Sequence, residues 1–155
     1  MAEYISEGFK GLGFEADLYE VRHAKEYANI LLHFNPRLIL DTLSGRLVEI
    51  EVTPSFKPEG YDAFVFSSPI WYERVVPAMR AFLARYRGRI LRPVACYTTS
   101  TLRRNYAPSF KTLLETLGYS VITCTSIYNP DKDRDAIERL VRGIGGFLKA
   151  SLLGT

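Results

Sequence analysis

Two short segments of the sequence hold the side chains best suited to binding a flat ligand. Residues 67–72 contain the single tryptophan, Trp71, followed directly by Tyr72. Residues 98–106 are rich in hydroxyl groups, which both donate and accept hydrogen bonds. A planar conjugated ring is stabilised by an aromatic face and by donors aimed at its polar edge. The two segments predict a site for such a ring; an aromatic lid on the core and an ordinary polar loop are the simpler alternatives.

The cysteines and histidines give little support to other chemistry. Cys96 and Cys124 lie inside apolar, β-branched runs and not in a CxxC motif, so we expect buried free thiols in a reducing compartment. His23 and His33 are the only histidines, and neither has the spacing to a cysteine or carboxylate that a zinc site requires. We therefore predict no metal site, and no side chain is nominated as a catalytic acid or base.

Length and composition predict one soluble domain, spanning residues 1–155. Of these residues 47% are hydrophobic, which is enough for a substantial core. No stretch approaches the roughly 18 apolar residues of a membrane helix, so we expect a cytoplasmic protein without membrane partners. The net charge of +3 is mild and no nucleic-acid motif accompanies it, so nucleic acid is not an expected partner.

The second half of the chain alternates short apolar runs with helical patterns. The predicted elements are strand 63–66, helix 75–86, strand 94–98, helix 110–117, strand 121–127 and a last helix that begins after Asp131 or Asp133. Strands that alternate with helices pair in parallel through right-handed crossovers. The sequence therefore predicts an α/β fold with a doubly wound, mostly parallel sheet and helices on both faces.

The first half is less regular. Its predicted elements are helix 1–12, strand 16–21, a helical face of Tyr27, Ile30, Leu31 and Phe34 that Pro36 breaks, a short turn of helix at residues 38–43, and edge strand 46–53. We interpret residues 24–58 as an insertion within the single domain.

Several motifs of the second half resemble those of the flavodoxins and the flavodoxin-like quinone reductases. The matching residues are Tyr61-Asp62, Ser68-Pro69-Ile70-Trp71, Pro77, residues 80–83, Thr98-Thr99-Ser100 and Leu117-Gly118-Tyr119. The resemblance covers residues 61–155 well and strand 16–21 only loosely. It implies a flavodoxin-like fold with the cofactor FMN, bound beyond the carboxyl ends of the strands.

The resemblance also implies the residues that contact FMN. Carried over by position, one loop supplies Ser68, Pro69, Ile70, Trp71 and Tyr72, and the other supplies Thr98, Thr99, Ser100 and Tyr106. The implied function is FMN-dependent electron transfer or oxidoreductase activity with a redox partner protein or a small-molecule electron acceptor, and a homodimer is compatible with it. The simple electron carriers of this family are usually acidic, so the mildly basic charge favours a reductase or a carrier with acidic partners.

The start of the chain departs from the family pattern. Flavodoxin-like chains open with a hydrophobic strand and a Ser/Thr/Gly-rich loop that holds the FMN phosphate at a helix amino end. Residues 1–5 instead have the pattern of mid-helix residues, so both features are missing. We expect the true start to lie upstream of Met1; direct pairing of strands 16–21 and 63–66, or a strand from another chain, are the alternatives.

Without the phosphate loop, FMN affinity should fall, because charge-assisted bonds to phosphate are strong. Arg74, Arg103 or Arg104 would then compensate in part. The competing hypothesis is a flavodoxin-like domain that has lost FMN binding and acts as an interaction or regulatory module. A nucleotide-binding or response-regulator-like domain is weaker, because the sequence has neither a glycine fingerprint nor an acidic cluster at a strand end.

Overall fold

Five helices and six strands make up the described part of the computed structural model, which covers residues 1–25, 35–129 and 132–153. In chain order they are α1 (Ala2–Gly11), β1 (Glu20–His23), α2 (Pro36–Ser44), β2 (Ile50–Thr53), β3 (Phe64–Trp71), β4 (Arg74–Val75), α3 (Pro77–Tyr86), β5 (Val94–Thr99), α4 (Ala107–Thr116), β6 (Val121–Ile127) and α5 (Arg134–Leu153). No helix in these ranges is both long and apolar enough to cross a membrane.

The main sheet has the strand order β4-β3-β5-β6. β3, β5 and β6 run parallel, and β4 pairs antiparallel with the end of β3. β1 and β2 form a separate antiparallel pair, so β1 does not pair with β3 in the described structure. The prediction of an α/β fold built on a parallel sheet is confirmed, and its doubly wound form stays a prediction.

The core is divided by the sheet, as the central strand β5 demonstrates. Val94 and Cys96 belong to an apolar cluster with residues of α3 and α4. Ala95 and Tyr97 belong to a second cluster with residues of α1 and α5. Successive side chains of a strand point to opposite faces. Each face of β5 is therefore covered by two helices.

Most predicted helices are present, and their ends have local causes. α1 and α5 match their predicted ranges closely, and α4 begins three residues before its predicted start. α3 begins only at Pro77, because Val75 pairs in β4. Pro36 begins α2, where its missing N–H costs nothing, and the Asn35 side chain accepts hydrogen bonds from the first free N–H groups. The helical face predicted from Tyr27 to Phe34 lies outside the described residues.

Strand boundaries were predicted less well. The strand expected at residues 16–21 is displaced to Glu20–His23, and the strand expected at residues 46–53 is shortened to Ile50–Thr53. The reason is that the two segments pair with each other only there. The strand expected at residues 63–66 continues to Trp71. Its polar second half pairs with β5, which keeps the backbone extended.

The prediction of free thiols was wrong. Cys96 and Cys124 form a disulfide between β5 and β6. The two residues are 28 positions apart in sequence but are direct partners in the parallel register, with their Cα atoms 4.5 Å apart. The apolar residues around Cys96 in the sequence predict correctly that this side chain is buried. The disulfide depends on the register between β5 and β6, and the apolar pattern of a single strand does not determine that register.

Candidate functional site

The candidate site lies at the carboxyl edge of the main sheet. Because β3, β5 and β6 are parallel, their carboxyl ends meet at one edge. The register aligns Ser68, Thr98 and Ser126 in one row across the three strands. Pro69 pairs with Thr99 in the next row. The two segments predicted to bind a ligand are therefore neighbours.

The first predicted segment is mostly strand and ends in a tight hairpin, not in a loop. Trp71 pairs with Arg74, so only Tyr72 and Glu73 form the turn. Both have positive φ angles, 48° and 61°. Two-residue hairpins favour this left-handed geometry, yet residues other than glycine adopt it at a cost of order 1–3 kcal/mol each. The hairpin presents Tyr72, 38% exposed, beside the half-buried Trp71.

An ion pair joins the hairpin to the second predicted segment. The Glu73 carboxylate accepts a hydrogen bond from the Arg104 guanidinium. The same guanidinium lies 5.8 Å from the centre of the Tyr106 ring, a cation–π distance. Glu73 was not predicted as a site residue, because the sequence has no Asn-Gly or Asp-Gly signal for a hairpin there. Two exposed turns are thus held together across one edge.

Ser126 organises the start of α4 beside this edge. Its hydroxyl accepts hydrogen bonds from the N–H groups of Tyr106 and Ala107, at 2.9 and 3.0 Å, and donates to Asn105 at 3.0 Å. It also lies 3.0 Å from the Thr98 hydroxyl. Sequence reasoning missed Ser126, since a serine inside an alternating strand gives no local signal of a capping role.

The predicted site residues fall into two groups by exposure. Ser68, Thr98 and Tyr106 are buried. The Ser68 hydroxyl accepts from the Val76 N–H and donates to the Pro69 carbonyl, so it fixes the hairpin. The exposed or half-buried group is Pro69, Ile70, Trp71, Tyr72, Thr99 and Ser100. The second group is the one that a ligand could reach directly.

The turn after β6 adds a negative charge to the same edge, beside the positive charge of Arg103 from the segment after β5. Asp133 accepts hydrogen bonds from the N–H groups of Tyr128 and Asn129, at 2.6 and 2.8 Å. These bonds, together with the positive charge of Arg103, hold the pKa of the Asp133 carboxyl below its usual value. Arg103 is exposed and is therefore available to an anionic ligand group at this edge.

A cavity of about 820 Å³ lies beside β3, away from the edge that holds Trp71. Residues 63–67 of the β3 region and residues 13–19 are among those that line it. We call this cavity the slot. Apolar side chains line it, including Ile5 and Phe9 of α1. Its size exceeds that of a packing defect, since native interiors contain few voids larger than a water molecule.

No protein-family model matches the chain, and the search of curated proteins found no match. Solved structures do match. A flavoprotein from Lactobacillus acidophilus NCFM, crystallised in complex with FMN, aligns with a TM-score of 0.65 at 19% identity, over 87% of this chain and 89% of the other. An NMR structure of the apo-form of the flavoprotein from this organism gives 0.59 at 17% identity, over 88% of both chains.

A candidate flavoprotein from Bacteroides eggerthii DSM 20697 aligns with a TM-score of 0.66 at 18% identity, over 88% of this chain and 85% of the other. Identities this low carry no residue-level argument, but the agreement extends over most of each chain. The protein therefore shares its fold with these flavoproteins.

Proposed function

We propose that this protein binds FMN at the carboxyl edge of its sheet and transfers electrons, as a flavodoxin-like carrier or oxidoreductase with a doubly wound sheet. The observation that carries the proposal is the joining of two turns from neighbouring parallel strands by the Glu73–Arg104 ion pair. The shared fold with a flavoprotein solved in complex with FMN supports the same cofactor.

The residues at this edge fit the parts of FMN. Trp71 and Tyr72 offer aromatic surface to the flat ring, and the half-buried Thr99 and Ser100 lie on the other side of the same edge. Hydroxyl and backbone donors there suit the polar rim of the ring. Bound FMN would supply the redox chemistry, while the protein orients it and tunes its potential.

The phosphate group would meet positive charge on the same edge. Arg103 is exposed there, and Arg74 donates a hydrogen bond of 3.1 Å to the Leu43 carbonyl. The two guanidinium groups are the side chains we assign to the phosphate, because charge-assisted hydrogen bonds favour such pairs. A redox partner protein or a small-molecule acceptor would approach the exposed side of Tyr72.

A flavin titration tests this function. We expect the purified apoprotein to take up FMN with quenching of flavin fluorescence, and Trp71→Ala to weaken binding roughly tenfold, the equivalent of about 1.4 kcal/mol of stacking. Leu91→Ala is the control, since Leu91 is 81% exposed and precedes β5 at the opposite edge. A chain that takes up no FMN would refute the proposal and favour an interaction or regulatory module.

A further inference from the structure

The helix α2 exposes leucines and buries polar side chains. Leu40 and Leu43 are 62% and 48% exposed, and Leu47, just after the helix, is 60% exposed. The buried residues of α2 are Leu38, Asp41 and Thr42. A helix on the surface of a globular protein normally turns its apolar stripe towards the core. The outer side of α2 therefore has the composition of a surface that another molecule covers.

We call Leu40, Leu43 and Leu47 the leucine face. Two arginine side chains hold α2 in the orientation that exposes it. The Arg80 guanidinium of α3 donates to the Asp41 carbonyl at 2.7 Å, and the Arg74 guanidinium of β4 donates to the Leu43 carbonyl at 3.1 Å. The last carbonyls of a helix have no partner within the helix, so these bonds fix its carboxyl-terminal turn. A rotation that buried the leucines would break them.

The leucine face lies beside the hairpin of the candidate site. Arg74 pairs with Trp71 and directly follows the turn of Tyr72 and Glu73. Its bond to the Leu43 carbonyl places the end of α2 next to this turn. A protein that covers the leucine face is thereby brought close to Tyr72, the side from which an electron acceptor would approach.

Positive charges flank the leucine face at both ends. The exposed Arg37 lies three residues before Leu40, and the exposed Arg46 directly precedes Leu47. Arg37 lies 3.9 Å from the buried Asp41 carboxylate, whereas Arg46 forms no ion pair with the described residues. Two copies paired through α2 would bring like charges together in either orientation, which disfavours self-association. Charge complementarity instead fits carboxylates around an apolar centre.

We propose that the leucine face docks a partner protein through an apolar patch bordered by carboxylates, and that this protein is the redox partner of the candidate site. Leucines would be desolvated at the centre of the interface, and carboxylates would pair with Arg37 and Arg46 at its rim. The redox role of the partner rests on the proposed function, whereas docking itself does not require FMN.

The test uses a helical peptide as a model of the partner surface, with leucines along one face and glutamates on both borders. The control peptide has lysines in place of the glutamates. Isothermal titration calorimetry of the apoprotein at low ionic strength measures both. We expect the acidic peptide to bind at least roughly tenfold more tightly than the basic one. Equal binding of the two peptides, or no binding of the acidic one, would overturn the proposal.

Variants locate the docking surface. Leu43→Gln and Arg46→Glu should each weaken binding of the acidic peptide roughly tenfold. Leu91→Gln and Arg92→Glu are the matched controls, because both residues are exposed and precede β5 at the opposite edge of the sheet. Equal effects of a variant and its control would overturn the assignment to α2.

Other occupants of the leucine face give different results. Glutamine matches leucine in helix propensity, so Leu43→Gln should keep the thermal midpoint if Leu43 is free in the unbound protein. A clear fall in the midpoint would mean that the chain itself covers this residue. A dimer in sedimentation velocity that Leu40→Gln dissociates would assign the face to a second copy. Binding to vesicles that contain phosphatidylserine, lost in Leu43→Gln, would assign it to a membrane. Each of these three results would overturn the proposal.

FMN uptake separates this inference from the proposed function. Leu43→Gln and Arg46→Glu should take up FMN like the wild type, since neither residue is assigned to the cofactor. If FMN is taken up but the acidic peptide does not bind, the docking surface is refuted and the proposed function stands. If the peptide binds but no FMN is taken up, the docking surface stands and the redox role of the partner is refuted.

Discussion

The hydroxyl of Ser126 binds two neighbouring segments at the end of β6. It accepts from the first N–H groups of α4 and lies beside the Thr98 hydroxyl of β5. The first N–H groups of a helix have no partner within the helix, so a side-chain acceptor stabilises that end. One serine thereby fixes both the start of α4 and the end of the second candidate segment.

Replacing this serine should weaken the fold and the candidate site together. We expect Ser126→Ala to lower the free energy of unfolding by about 1–2 kcal/mol, because two N–H groups and the Thr98 hydroxyl lose a partner. Urea denaturation monitored by circular dichroism measures this. The control is Thr116→Ala, since the exposed Thr116 hydroxyl bonds only within its own helix, to the Thr112 carbonyl. Equal stability of the two variants would contradict the capping role.

Tyr119 makes the stability of the fold depend on alkaline pH. Its ring is buried and its hydroxyl donates to the Leu83 carbonyl at 2.7 Å. Burial raises the pKa of Tyr119 from 10.0 to about 12. The unfolded chain therefore loses this proton at lower pH than the native state does. The stabilisation is complete below pH 10 and is lost as the pH rises towards 12.

We expect the urea midpoint of the wild type to fall between pH 10 and 11.5, and Tyr119→Phe to flatten this fall. At neutral pH the same variant should lose about 1 kcal/mol, from the missing hydrogen bond. Tyr4→Phe, at a position that is 47% exposed, is the control and should keep the wild-type slope. Burial also raises the pKa of Tyr97, so some pH dependence should remain in Tyr119→Phe.

At the scale of elements, α5 contains two adjacent glycines with different surroundings. Gly145 lies against the residues that follow α1: a methyl group there would come within 3.0 Å of Leu12 and 3.3 Å of Phe14. Gly146 has open space around it, with nothing within 4 Å. Glycine within a helix costs about 1 kcal/mol relative to alanine. Replacing either glycine by alanine should therefore gain stability, but at Gly145 the close contacts with Leu12 and Phe14 oppose that gain.

The two positions therefore make a matched pair of variants. We expect Gly146→Ala to add up to about 1 kcal/mol, which raises the thermal midpoint by roughly 2–4 °C. Gly145→Ala should gain less or lose stability, because Leu12 must move. Differential scanning calorimetry of both proteins gives the comparison. A larger gain from Gly145→Ala than from Gly146→Ala would mean that α1 and α5 are not packed closely.

The sequence predicts the range of a helix or strand well where that element has a clear pattern of apolar residues of its own. β6 and α1 have clear apolar patterns, and their ranges were predicted almost to the residue. The hairpin after β3 and the Cys96–Cys124 disulfide were missed, since both depend on which strands become neighbours. Of the candidate site, Trp71 and Thr99 were predicted and lie on one edge, whereas Glu73 depends on a long-range ion pair.

At the scale of the whole molecule, the proposed FMN site depends on positive charge at the carboxyl edge of the sheet. Gly8 lies against Val141 and Gly145 lies against Leu12, so α1 runs in the same direction as α5 and its amino end lies at this edge. Helix dipoles and free N–H groups at such an end favour an anion, but the acidic Glu3 in the first turn of α1 opposes one there. The FMN phosphate should therefore depend mainly on the exposed arginine side chains of this edge, Arg74 and Arg103.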